Sequence, residues 1–191
     1  MKRLLLTALL FGASVIAAAQ QGLDPASINK PLGDSWPTYS GDYTGRRYSS
    51  LTQINQTNVK HLTLAWMRRL TNGPGPGGPR GPRDAEIIIS GEADGSVTVA
   101  GPTQIKGSIL SVNGVLYVTT PDNTWALDAN DGHELWHYFW KTKGGTHIGN
   151  RGVGMWGNYL FFVTPDDYLV SVDARTGKER WHREFSPFSQ Q

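Results

Sequence analysis

The sequence predicts an all-β protein built from repeated four-stranded units, and three observations carry that prediction. One is self-similarity at a fixed spacing: Trp125 to Trp136 and Val170 to Trp181 read as the same unit, with Asp128 and Asp173, Gly132 and Gly177, and Trp136 and Trp181 each 45 residues apart. Another is the turn chemistry. Asn113-Gly114 and Gly157-Asn158 are dipeptides that tolerate positive φ, and each precedes an alternating apolar run, Val115 to Thr120 and Tyr159 to Thr164. The third is composition: 23 glycines and 7 tryptophans in 191 residues suit many tight turns and large flat core side chains.

Each unit can be read element by element. An apolar strand leaves the hairpin turn and a second strand follows it. Asp-Ala-x-x-Gly then forms another tight turn, in which the aspartate accepts from backbone amides and the glycine takes the left-handed position. A short strand ending in tryptophan closes the unit, its indole placed to pack between neighbouring sheets. Four short strands every 45 or so residues is the size of a propeller blade. A pair of coincidental hairpins in a sandwich is the alternative, and three anchor residues in register argue against it.

The N-terminus carries an export signal by its anatomy. Lys2 and Arg3 precede the apolar run Leu4 to Ala18, and Ala17-Ala18-Ala19 supplies small residues for cleavage before Gln20. The run is shorter than the roughly 20 residues of a spanning helix, so no membrane anchor is expected. The formal charge of +2 falls to zero once Lys2 and Arg3 are removed, which excludes a nucleic-acid partner. There is no cysteine. Packing alone must hold the fold, and lipid anchoring and c-type haem attachment within this chain are excluded.

The expected organisation is a signal peptide at 1–19 and an N-terminal segment with opening strands at 20–71. A Gly/Pro-rich insertion follows at 72–100, with a hairpin of Ile87–Ile89 and Ser96–Val99, and then two repeats at 101–191. Leu62, Leu64 and Trp66 alternate as one face of an opening strand. Asn72 to Arg83 lacks glycine at every third position, so it reads as a surface insertion and not as collagen. Two blades cannot close a ring, and the last would offer an unpaired apolar face.

The repeat Ala-x-Asp-Ala-x-x-Gly-x-x-x-Trp is similar to the tryptophan-docking motif of PQQ-binding propellers. The opening run from Trp36 through Gly41-Asp42, Arg47-Tyr48-Ser49, Ile54-Asn55 and Asn58-Val59 to Ala65-Trp66 resembles the mature start of quinoprotein alcohol dehydrogenases. The resemblance implies about two blades plus opening strands of an eight-bladed PQQ-type β-propeller, an incomplete ring whose opening segment belongs partly to the last blade. It also implies PQQ as cofactor, calcium held by ligands in later blades, a catalytic aspartate likewise in later blades, and periplasmic oxidation of alcohols. Electrons would pass to a cytochrome or quinone acceptor.

Asn150-Arg151-Gly152 matches a family loop, so Asn150 and Arg151 are expected at the cofactor. A guanidinium fork suits the carboxylates and quinone oxygens of PQQ, although an arginine bonding loop carbonyls at the propeller mouth would look the same. Lys106 stands where the family has a PQQ-bonding glutamate; it either pairs with a PQQ carboxylate or is a solvated lysine. Ile109 replaces a family proline, Gly145-Thr146 replace a vicinal cysteine pair, and His147 replaces an aspartate. Asp166-Asp167 reads as a turn. Two functions therefore stand: part of a periplasmic PQQ-dependent dehydrogenase, itself inactive, or a non-enzymatic repeat propeller serving as a binding or scaffold module in the cell envelope.

Overall fold

The computed structural model describes residues 22–73, 83–85, 105–142 and 151–186. The signal segment, the Ile87–Ile89 hairpin, Gly145-Thr146, His147 and Asn150 lie outside these. Among the described residues ten strands run in order: β1 (Leu70–Asn72), β2 (Arg83–Ala85), β3 (Leu110–Val112), β4 (Val115–Thr120), β5 (Asn123–Asp128), β6 (Glu134–Phe139), β7 (Gly154–Trp156), β8 (Tyr159–Val163), β9 (Tyr168–Asp173) and β10 (Glu179–Glu184). They form two four-stranded antiparallel meanders, β3-β4-β5-β6 and β7-β8-β9-β10, and the small pair β1-β2. The two meanders are the two blades that the 45-residue spacing predicts.

The turns follow their chemistry. Asn113 and Gly114 sit at φ 50° and 77°, the mirror-image turn that matches strand twist between β3 and β4. In the β5–β6 and β9–β10 turns the Asp128 and Asp173 carbonyls accept from Gly132 and Gly177 at 2.9 and 2.8 Å. The aspartate side chains accept from the amides of Asn130 (2.8 Å) and Arg175 (2.9 Å), tying each turn from inside.

These turns receive the tryptophan that closes the preceding unit. Trp136, on β6, donates its indole N–H to the Ala174 carbonyl at 2.9 Å, and its ring lies over Gly177, where a Cβ would come within 2.6 Å of ring carbon. Trp66 repeats the contact one step earlier, donating to the Ala129 carbonyl at 3.1 Å and covering Gly132. Glycine is required at both turns because the indole occupies the space of a side chain.

Packing makes the two blades unequal. The first blade is covered on both sides: Trp125, Leu127 and Val118 meet Leu70 on one, while Val115, Tyr117 and Ala126 meet the second blade on the other. Strand β5 accordingly buries five consecutive residues, 123–127. Among the described residues the second blade is covered on one side only. Leu160, Phe162, Val170 and Val172 are buried, while Val163, Trp156, Trp181 and Phe185 are exposed, and every residue of β10 is exposed.

One expectation fails. Leu62 to Trp66 is not a strand: Val59–His61 forms a 3-10 turn and residues 62–69 pair with no strand among the described residues. Leu62 and Leu64 are 59% and 80% exposed. Alternation marks a strand only where a neighbouring strand supplies hydrogen bonds, and none is described beside this segment. The chain is held there by single anchors. Trp36 bonds β3 through Ser111 in both directions (2.6 and 3.0 Å), and Trp66 docks as described. Beyond Trp66, β1 and β2 pair across the Gly/Pro-rich stretch, Leu70 opposite Ala85.

One histidine is half-buried in the first blade. His137 stacks on Trp125 (centroids 4.9 Å apart, planes at 12°), and its Nε2 lies 2.9 Å from Asn123 Oδ1, which fixes the proton on that nitrogen. Burial pushes the imidazole below its ordinary range, against the opposing field of Glu134. The fold thus favours the neutral ring, so stability is fully present above about pH 6.5 and declines as pH falls. Thermal stability of the protein should fall as pH drops below about 6.5, and His137→Phe should flatten that decline. In the same assay Trp136→Ala should cost about 3–5 kcal/mol. Gly177→Val should cost about 2–4, and Trp181→Ala under about 1.

Candidate cofactor site

The backbones of the two blades touch where the chain enters their first strands. The Ser108 amide donates to the Arg151 carbonyl at 3.2 Å, and Ser108 and Gly152 form a parallel bridge. Glycine makes this crossing possible on both sides. A Cβ on Gly107 would lie 2.5 Å from the Gly152 nitrogen, and one on Gly152, which sits at φ 106°, would lie 2.6 Å from the Ser108 oxygen. Lys106 and Arg151 are thus brought onto adjacent segments where the chain enters the two blades. Both side chains are exposed, and neither has an ion-pair partner among the described residues. Asn150 lies outside the described residues.

Two exposed cations beside a glycine-lined crossing suit a ligand rich in carboxylates, and a charge-assisted bond to each would be stronger than a neutral one. Calcium is a different matter. Among the described residues the one group of three candidate ligands is Asp128, Asp131 and His133, on the β5–β6 turn, with ligand atoms within 4.8 Å of one another. Their atoms already serve the turn: Asp128 Oδ1 accepts from Asn130, and Asp131 Oδ1 accepts from the His133 amide (2.9 Å) and contacts its Nδ1 (2.7 Å). The His133 amide and ring hold the Asp131 carboxyl below its usual range. The second blade has Asp173, Thr176 and Lys178 at the same places, so the set is not a feature of the repeat. It offers too few oxygens for the six to eight that calcium takes.

Sequence reading missed one group. Asp166 does sit in the β8–β9 turn, as expected, but it is fully buried. Its Oδ1 accepts from Thr164 Oγ1 at 2.6 Å and from the Trp140 indole at 2.8 Å. The signal was available in the repeat, since Trp140 stands four residues after Trp136 as Phe185 does after Trp181.

A family model described as "Glucose/ethanol/alcohol dehydrogenase, beta-propeller domain" matches residues 36–186. The chain belongs to this PQQ β-propeller family. It is 31% identical over 172 residues to the quinohemoprotein alcohol dehydrogenase ADH IIB of Pseudomonas putida, covering 84% of this chain and 21% of that relative. With the dehydrogenase subunit of a quinone-type alcohol dehydrogenase of Gluconobacter oxydans it shares 33% over 177 residues, covering 84% and 19%. The solved quinohemoprotein alcohol dehydrogenase ADHIIG of Pseudomonas putida HK5 superposes with a TM-score of 0.64 at 25% identity, covering 86% of this chain and 21% of that one. The chain thus spans about a fifth of the length of these relatives.

The crossing gives a direct test of the site's frame. Gly152→Ala should destabilise the protein by about 2 kcal/mol. It should also speed hydrogen exchange at the Ser108 amide well beyond that of the amides within β4 and β5.

Proposed function

We propose that this chain supplies the opening segment and first blades of a periplasmic PQQ-dependent dehydrogenase that oxidises alcohols. In this reading Lys106, Asn150 and Arg151 help to hold the cofactor. The observation that carries it is the convergence of Lys106 and Arg151 at the Ser108–Gly152 crossing, within a family whose model is described by glucose, ethanol and alcohol dehydrogenation. PQQ supplies the two-electron chemistry when bound. The residues of this chain orient it: Arg151 presents a planar fork of donors, and Lys106 a point charge that pairs with a ligand carboxylate. Calcium, the base that takes the substrate proton, and the docking surface for a cytochrome or quinone acceptor are assigned to blades beyond these two. The residues described here contain no such constellation. No helix among the described residues is long and apolar enough to cross a membrane, and the signal anatomy of residues 1–19 supports export.

On this reading the 191-residue chain alone reduces no dye acceptor when given PQQ, calcium and ethanol. In the longer protein containing this segment, fluorescence titration should show PQQ binding weakened by about tenfold in Lys106→Ala and by more in Arg151→Ala. A longer protein that binds no PQQ would instead favour the scaffold reading.

A further inference from the structure

Strand β1 is three residues long, and among the described residues it pairs only with the equally short β2. A two-stranded pair of that size has little stability of its own, so β1 depends on what fastens it to the first blade. Three contacts do so. Before the strand, the Arg68 guanidinium pairs with Glu134 at 3.6 Å. Within it, Leu70 is 1% exposed and packs in one cluster with Trp125. Just after it, the Gly73 amide donates to Asn123 Oδ1 at 3.0 Å. One side chain bears on the receiving group of all three. His137 stacks on Trp125, donates from Nε2 to the same Asn123 Oδ1, and lies in the field of Glu134.

We propose that His137 is an acid-operated latch on β1: the neutral ring keeps the three anchors closed, and the protonated ring loosens them and uncovers the Trp125 face of the first blade. Asn123 is buried, and its amide is oriented by three bonds, from Gly73, from His137 and to Thr120 Oγ1 at 3.1 Å. Neutral His137 fits this arrangement, with its one N–H on Asn123 and its ring plane against the indole. A second proton puts a full charge and a new donor, Nδ1–H, into a half-buried setting where burial opposes it. The charged ring is better placed nearer water and Glu134. Two charged groups decide where it goes. Glu134, on its own strand, attracts it, and Arg68, from the chain entering β1, already holds that carboxylate. Charged His137 therefore competes with Arg68 for Glu134 while it leaves Asn123 and Trp125. Strands β4, β5 and β1 contribute Val118, Asn123, Trp125 and Leu70 to this side of the blade, and none of these titrates. The inference rests on the fold alone and is independent of the cofactor reading.

Residue-resolved amide hydrogen exchange on the full chain tests the latch, with each rate divided by that of an unstructured peptide at the same pH. The Gly73 amide is the reporter. The Gly177 amide, bonded to the Asp173 carbonyl in the second blade, is the control. From about pH 7 to about pH 5, protection at Gly73 falls about tenfold while protection at Gly177 holds. His137→Gln keeps a side-chain N–H for Asn123 and carries no titrating proton, so in that variant protection at Gly73 is level across the range. Constant protection at Gly73 in the unaltered chain would overturn the proposal. A parallel fall at Gly73 and Gly177 would do the same, because it reports loss of the whole fold. So would a fall at Gly73 that persists in His137→Gln. Should the glutamine variant not fold, the comparison of the two amides in the unaltered chain decides by itself.

Discussion

The contact on which the structure depends is an indole seated on a glycine. A single blade is a twisted four-stranded sheet with two faces that water should not see, and it becomes stable only when a neighbour covers at least one of them. Trp136 joins the two described blades by combining three effects in one side chain. Its large apolar surface leaves water, its N–H satisfies the Ala174 carbonyl at a turn, and its ring fits only because residue 177 has no Cβ. The hydrogen bond fixes the angle of the ring, and the glycine fixes its depth. Together they set where the second blade lies against the first, and hence how the chain leading into β3 meets the chain leading into β7.

The candidate site is a consequence of that placement. Lys106 and Arg151 are 45 residues apart in sequence and lie just before the first strands of successive blades. They become neighbours because the blades are docked, and the Gly107–Gly152 crossing lets their backbones touch. Other cross-blade contacts support the same arrangement. Tyr138 donates to Glu179 at 2.6 Å, and Tyr117 donates to the Ala174 carbonyl at 3.3 Å. Burial, with the nearby charge of Asp173, pushes the Tyr117 hydroxyl up to about 12, so it remains a donor across the physiological range. Burial works against ionisation of Glu179, but the hydrogen bonds from Tyr138 and His182 outweigh it and hold this carboxyl below its usual range.

Much of this was legible in the sequence because repeats state their own geometry. The spacing of Asp128, Gly132 and Trp136 against Asp173, Gly177 and Trp181 marks strand, turn and docking residue without reference to any tertiary contact. Leu62 to Trp66 was misread for a physical reason: alternation shows which side chains share a face, but not whether a neighbouring strand is there to pair. The burial of Asp166 was missed because an Asp-Asp pair in a turn reads as solvated. The indole of Trp140, 26 residues away, joins the Thr164 hydroxyl in making burial of that carboxylate tolerable. The family resemblance put Lys106 and Arg151 at one cofactor, but the glycine crossing that brings their segments together depends on how two blades pack and was not legible.

The central claim is that the blades are joined by one shared dock, and a double-mutant cycle between Trp136 and Gly177 tests it most directly. With unfolding free energies measured for Trp136→Ala, Gly177→Val and the double variant, the account predicts strong non-additivity. Either change alone already empties the dock, and removing the indole relieves the clash that valine creates, so the double variant should be no less stable than the worse single one. Costs that simply add, with a coupling energy under about 0.5 kcal/mol, would show that the indole and the glycine act independently and would contradict it.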